Sequence, residues 1–245
     1  MSLSHWYTNM KYMGSKRRVA KHILPIILDN RTDNQVYVEP FVGGGNLIEH
    51  VANPRIASDI NPFLIAALCI IKDFPSMLPK TLTESEYKEY RMKSKSYNLS
   101  FYEQGLIGYV GFALSYGGKW FGGYCRDGAG KRDYIMEAYR NAQKQTKHLQ
   151  DIVFYNYSYE GVPIPPQSII YCDPPYANTT KYSTSNFNHE RFWEWCRKMT
   201  GDGHTVFISE YNAPPDFNCV WEKPVSSSLT ADTGSKQAIE CLFTI

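Results

Sequence analysis

An aspartate, two prolines and a tyrosine, Asp173-Pro174-Pro175-Tyr176, follow directly on the apolar run SIIYC at 168–172. Two successive prolines fix φ and offer no N–H, so the turn is stiff and its carbonyl oxygens need outside partners. A carboxylate, a proline carbonyl and an aromatic ring at the end of a central strand make a preorganised acceptor pair beside a stacking surface. Such a constellation suits a planar group that bears an exocyclic NH2. Upstream, VEPFVGGGNL at 38–47 places Gly43, Gly44 and Gly45 between a strand and the amphipathic run Asn46 to Val51. Glycines at a strand-to-helix turn let a ligand approach the backbone closely and expose N–H groups at the helix start. Asp59, fourteen residues past Gly45, ends a second strand, where a carboxylate can accept ribose hydroxyls. These features indicate a nucleoside-containing cofactor, and a tight turn without a ligand is the plainer alternative. There is no G-x-G-x-x-G and no G-K-[ST], and Glu39 beside the turn would repel a pyrophosphate and favour a cation.

The elements that must position these residues are written in the hydrophobic pattern. Gln35 to Glu39 and Arg55 to Asp59 read as strands, and Pro62 to Ile71 as a helix with Asn61 as its N-cap and Pro62 in its first turn. This is the opening of a doubly wound parallel sheet. The alternation then stops for about 80 residues. Thr83 to Lys95 reads as a helix with Thr83 and Glu86 spaced as a capping box, and Asp133 to Leu149 as another. Gly117 to Lys131, with six glycines, must be loop. Strand signals resume at Ile152 to Asn156, Ser168 to Asp173, His204 to Ser209, Cys219 to Glu222 and Ala238 to Ile245. The pattern predicts one α/β domain interrupted by a mainly helical insertion.

Composition narrows the function classes. Of the 245 residues 43% are hydrophobic and 20% charged, which excludes a disordered chain. The longest apolar run, Phe63 to Ile71, is nine residues, short of the roughly 20 that cross a bilayer, so no membrane span is expected. No apolar h-region opens the sequence, and six scattered cysteines without a C-x-x-C pair suit reduced thiols, so a cytoplasmic chain without a structural metal is expected. The net charge is only +2, but Lys80 to Gln150 carries 12 Lys and Arg against 7 Asp and Glu. Within it, Tyr109 to Arg132 interleaves aromatics with Lys119, Trp120, Arg126, Lys131 and Arg132 on a glycine-rich loop. Cations there can hold phosphates or guanine edges, and an aromatic can wedge into a gap left by an extruded base; a solvated loop with a few buried aromatics is the alternative. His189-Glu190 does not extend to H-E-x-x-H, and G-x-S-x-G is absent. Phe192 to Trp195 reads as core packing, and Thr230 to Lys236 as either a hairpin loop or a DNA-touching segment.

Four motifs in order, KYMGSK at 11–16, EPFVGGGN at 39–46, SDIN at 58–61 and DPPY at 173–176, resemble those of the Dam-type (D12 class) DNA adenine-N6 methyltransferases. The resemblance covers both ends of the chain and leaves the insertion poorly matched. It implies a Rossmann-like sheet that binds S-adenosyl-L-methionine, with a catalytic domain of residues 1–71 and 151–245 and a helical target-recognition insertion of residues 72–150. Residue by residue, it implies cofactor contacts from Tyr12, Lys16, Phe41, Gly43, Gly45 and Asp59, with Ser158 and Tyr159 near the cofactor adenine. Asp173, Pro174, Pro175 and Tyr176 match the catalytic loop, with Asp173 also bordering the cofactor. The implied partner is double-stranded DNA bound by a monomer, with a separately encoded restriction endonuclease as a compatible companion. GATC-methylating members carry an Asn-Gly segment and an Asn-x-Pro-Phe stretch in their recognition hairpin that this sequence lacks, so the recognition sequence is left open.

Chemistry agrees with that mapping. The adenine N6 lone pair is delocalised into the ring, and two acceptors, one on each N6 hydrogen, pull the nitrogen toward sp3 geometry and free the pair for attack. The base must first leave the duplex, with Tyr176 as its stacking partner. Other planar amino groups, cytosine N4, adenine in RNA or a glutamine amide, stay open as substrates, as does a non-catalytic relative that binds DNA or cofactor.

Overall fold

The computed structural model describes residues 9–176, 187–226 and 237–245. Seven strands form one sheet: β1 (Tyr37–Glu39), β2 (Arg55–Ser58), β3 (Ile152–Tyr155), β4 (Ile169–Cys172), β5 (Thr205–Glu210), β6 (Asn218–Ser226) and β7 (Gln237–Thr244), in the spatial order β3-β2-β1-β4-β5-β7-β6. The first five pair in parallel, and β7 runs antiparallel between β5 and β6. This is an α/β, Rossmann-like sheet, and all seven strands fall where apolar and β-branched runs predict them. The chain winds outward through β2 and β3, returns, and winds the other way through β4 and β5. The order therefore reverses between β1 and β4, and the carboxyl ends of two neighbouring parallel strands open a crevice there. Val38 pairs with Ile170 across it, so Glu39 and the residues after β4 emerge side by side.

Six helices are seen among the described residues: α1 (Ala20–Ile27), α2 (Pro62–Asp73), α3 (Glu84–Lys93), α4 (Phe101–Ala113), α5 (Tyr134–Leu149) and α6 (His189–Gly201). Their starts carry side-chain caps where the sequence supplies them. Asn61 accepts from the backbones of Phe63 and Leu64, Thr83 and Glu86 close a reciprocal box, and Asp133 accepts from Ile135 and Met136. α6 contains the Phe192 to Trp195 run, and Phe192 and Trp193 are buried in an apolar cluster with Ile170, Val206 and Phe243.

Two expectations are corrected. The run after the glycine turn is not an α-helix but a single 3-10 turn, Ile48–His50. Pro54 and β2 follow at once, and the guanidinium of buried Arg55 takes the Ile48 carbonyl at 3.1 Å, so no second turn can form. The same side chain binds the carbonyls of His148 (2.9 Å) and Gln150 (2.7 Å), fastening the end of α5 to the start of β2. Second, the insertion holds a further helix, α4, that takes in Tyr109 to Ala113, so the exposed loop begins after it. α4 lies so close to α2 that a Cβ at Gly108 would sit 1.9 Å from the Phe63 carbonyl oxygen. Ile107 and Val110 of α4 and Ala138 and Ala142 of α5 join one apolar cluster with Leu64, Leu68 and Ile71 of α2 and Tyr37 of β1. Residues 72–150 thus share the core of the sheet.

Candidate active site

Asp173 leaves β4 at the reversal point, held by the stiff Pro174-Pro175 turn. Its Oδ1 lies 2.8 Å from Lys16 Nζ, which is also 3.5 Å from Glu240 Oε1 on β7. Tyr176 donates its hydroxyl to the same Glu240 oxygen at 2.5 Å, and Lys16 Nζ sits 4.5 Å from the centre of the Tyr176 ring. The ring of Tyr211, just after β5, meets Tyr176 edge-on at 4.7 Å. Burial pushes the Asp173 carboxyl up to about 6 against the pull of Lys16, and the Glu240 carboxylate adds to the rise. Burial likewise raises the Tyr176 phenol, so it stays a donor.

Across the crevice the glycine turn leaves β1. Gly43 (φ +51) and Gly45 (φ +71) adopt left-handed backbone, which costs any other L-residue strain. Asp59 closes over the turn, accepting the Gly43 N–H at 3.2 Å on one oxygen and the Asn61 N–H at 3.0 Å on the other. Burial pushes its carboxyl up to about 6 despite those donors. The Tyr12 ring lies over Gly43, where a Cβ would come within 2.9 Å of it. Gln145 of α5, fully buried, joins the two segments: its amide donates to the Gly44 carbonyl at 3.0 Å and accepts from the Met10 backbone at 3.1 Å. Asn46 is 4% exposed, and neither polar atom of its amide has a partner among the described residues. A buried amide left unmatched beside a cradle without side chains fits a polar ligand that completes it. Phe41 stacks on Tyr159 at 5.4 Å and meets Phe192 edge-on, while the Ser158 carbonyl accepts from Gly161.

The structure brings together Tyr12, Gly43, Gly45 and Asp59 on one side and Lys16, Asp173 and Tyr176 on the other. Lys16, expected at the cofactor, is engaged with Asp173 and Glu240. Glu39 does not face the turn as a charge. It is buried, accepts from Tyr37 at 2.8 Å, and burial raises its carboxyl well above the ordinary range. Two residues that sequence patterning missed, Gln145 and Glu240, are single polar residues at buried positions of α5 and β7. Their one signal is a polar side chain where the helical or strand period demands an apolar one, whereas Asn46 closes the EPFVGGGN motif, which assigns it no role of its own. On the opposite face of β7 from Glu240, Cys241 gathers with Cys219 and Glu222, their ligand atoms within 4.8 Å. That trio could hold a metal ion but stays outside the crevice.

Lys119, Arg126, Lys131 and Arg132 are exposed. The last three border a shallow hollow of about 420 Å³ with Tyr124 and Tyr134. Arg132 is held by Glu137 (2.6 and 2.9 Å) and by the Tyr134 ring, and Arg126 by a longer contact to Glu84 (3.4 Å). Trp120 is half-buried among Phe63, Phe112 and Phe121, with centroids 4.7–5.1 Å away, and anchors the loop. The Met13 N–H donates to the Gly118 carbonyl at 3.1 Å, tying this loop to the segment that carries Lys16. Thr230 to Lys236 lies outside the described residues.

Residues 12–106 match the family described as D12 class N6 adenine-specific DNA methyltransferase. The chain is 30% identical over 203 residues to proteins named DNA adenine methylase from Salmonella typhi and Salmonella typhimurium, covering 71% of this chain and 66% of theirs. It is 30% identical over 184 residues to the DNA adenine methylase of Escherichia coli (strain K12), covering 63% of each. The chain thus spans just under two thirds of the length of these relatives.

Proposed function

We propose that this chain is, like the D12 class proteins it resembles, an N6 adenine-specific DNA methyltransferase that transfers a methyl group from S-adenosyl-L-methionine to N6 of an adenine extruded from double-stranded DNA. The observation that carries the reading is the pairing, across one crevice, of an acceptor turn at Asp173 with a glycine cradle closed by Asp59. Gly43, Gly45, Asn46 and Asp59 would hold the cofactor, with Tyr12 on one side and Phe41, Ser158 and Tyr159 on the other. The bound cofactor supplies an electrophilic methyl on a sulfonium. The chain does the rest by position: the Asp173 carboxylate and the Pro174 carbonyl each accept one N6 hydrogen and aim the lone pair, and Tyr176 supports the ring of the base. After transfer N6 carries a positive charge and a surplus proton, which Asp173 passes to water. With an ordinary value of 3.8 raised to about 6, Asp173 is ionised at neutral pH yet basic enough to take that proton in passing.

In this reading residues 1–71 and 151–245 form the catalytic unit and residues 72–150 read the DNA, with Lys119, Arg126, Lys131 and Arg132 on phosphates or base edges. Among the described residues no helix is long and apolar enough to cross a membrane. The test is transfer of labelled methyl from S-adenosyl-L-methionine to unmethylated genomic DNA, with the product digested to nucleosides. N6-methyladenine is the expected product, and D173A should abolish it while retaining weakened cofactor binding. Label in another base, or full activity in D173A, would refute the assignment.

A further inference from the structure

The two groups that an incoming base needs, the Asp173 carboxylate and the Tyr176 ring, are both covered by one cation. Lys16 Nζ lies 2.8 Å from Asp173 Oδ1 and 4.5 Å from the centre of the Tyr176 ring. A planar base that takes that face of the ring and that carboxylate oxygen must displace the ammonium. A buried ammonium without a counter-charge is costly, so its withdrawal needs a destination. Glu240 provides one: it is 6% exposed, its Oε1 is already 3.5 Å from Lys16 Nζ, and the Tyr176 hydroxyl fixes it at 2.5 Å. We propose that Glu240 is a positioning residue for methyl transfer, the carboxylate onto which Lys16 moves when a flipped base takes its place on Asp173 and Tyr176. The inference rests on the function proposed above and names a residue of that same site.

The charge arrangement fits the role. The ionisable groups facing Asp173 are Lys16, Glu39 on β1, Tyr171 on β4, Tyr176, Tyr211 after β5 and Glu240 on β7. Burial pushes Glu39, Tyr171 and Tyr176 toward their neutral forms, and the competition for Lys16 is between the two carboxylates in contact with it, Asp173 and Glu240. Tyr176 is both the stacking ring and the donor that aims Glu240. A base settling on it therefore meets an acceptor for the displaced ammonium already in place.

The experiment uses the full chain with Glu240→Gln and Glu240→Asp. Gln still accepts from Tyr176 but lacks the charge, whereas Asp keeps the charge one methylene farther back. Two readouts are taken: titration of Asp173 by 13C-carboxyl NMR without substrates, and the single-turnover rate on DNA at saturating cofactor. Glu240 raises the Asp173 value, so E240Q should titrate below the wild type. Lys16, lacking its second partner, should cling to Asp173 and slow transfer at pH 8 about tenfold or more, the effect of one charged hydrogen bond. Cofactor affinity should not change, and E240D should recover part of the rate. An unchanged Asp173 titration in E240Q overturns the proposal, as does a rate loss matched by an equal fall in cofactor affinity, which marks a merely structural role. Should E240Q not fold, E240D carries the test, and a wild-type rate in it overturns the proposal. If the wild type methylates no DNA, the functional reading fails by itself, while the NMR arm still decides whether Glu240 and Asp173 compete for Lys16.

Discussion

Replacing Asp59 by Asn separates what the folded chain gains from what a ligand would lose. The Asp59 carboxyl titrates at about 6 in the fold against an ordinary 3.8. A raised carboxylate leaves stability intact below pH 3.8 and removes it as pH rises through 6. At about 1.4 kcal/mol per pK unit the cost at pH 8 is at most about 3 kcal/mol. The substituted amide carries no charge, so it escapes that cost. It has one acceptor oxygen, however, for two N–H groups, from Gly43 and Asn61, that now each find an oxygen. The missing hydrogen bond takes back about 1 kcal/mol. The variant should therefore be about 2 kcal/mol more stable than the wild type at pH 8 and about 1 kcal/mol less stable at pH 3, with the curves crossing near pH 4.5. Urea unfolding at several pH values measures this directly. The ribose contact proposed for Asp59 predicts an opposite change in function: calorimetry should show S-adenosyl-L-methionine affinity down about tenfold to a hundredfold, the worth of a charged hydrogen bond. A variant less stable than the wild type at pH 8 would refute the assignment of burial as the dominant influence on this carboxyl.

Gly43→Ala must hold a Cβ at φ +51 within 2.9 Å of the Tyr12 ring. We expect a loss of about 1–2 kcal/mol from backbone strain and a cofactor affinity lowered further by the displaced tyrosine, read by thermal melting and calorimetry. Gln145→Leu keeps the volume but leaves the Met10 N–H and the Gly44 carbonyl without their partner. It should cost about 2–4 kcal/mol in urea unfolding and weaken cofactor binding, and an unchanged stability would show that water substitutes for the amide. Lys119→Ala with Lys131→Ala should lower DNA affinity without altering cofactor binding, and should reduce the slope of log affinity against log salt by up to about 0.9 for each phosphate no longer neutralised.

Legibility in the sequence followed how local the determining physics is. The strands are set by short apolar and β-branched runs of three to nine residues, and α2, α3 and α5 announce themselves through Asn61, the Thr83–Glu86 box and Asp133. α4 carries a start signal too, the Ser100–Glu103 box, but Gly105, Gly108 and Gly111 weaken the helical signal that should follow it. At Gly108 the reason is tertiary, the near contact with the Phe63 carbonyl, and no window around α4 contains α2. The same division runs through the site. Asp173, Tyr176, Gly43, Gly45 and Asp59 sit in short motifs whose chemistry can be read from neighbours. Gln145 acts on Met10, 135 residues away, and Glu240 on Tyr176, 64 residues away.

Electrostatics explains why those distant polar residues are tolerated in an apolar core. Within the crevice Asp173 and Glu240 bracket a single ammonium, and Asp59 stands across from them, held by backbone N–H groups rather than by a cation among the described residues. Both aspartates are driven toward the neutral form by burial, which is the folded chain bearing a cost that a hydrated surface carboxylate would escape. A cationic ligand relieves that cost on binding, so the cost of burying these carboxylates becomes affinity for positive charge. Glu39, whose sequence position suggested this preference, is buried beneath the turn, where burial drives it toward the neutral form; Asp173, Glu240 and Asp59 supply it instead. A sulfonium donor meets the requirement, whereas its neutral thioether product does not. The crevice should therefore bind the donor more tightly than the demethylated product above pH 6, and lose that discrimination as both aspartates protonate below it. Equal affinity for the two at about pH 8 would place the selective contacts elsewhere than on these carboxylates.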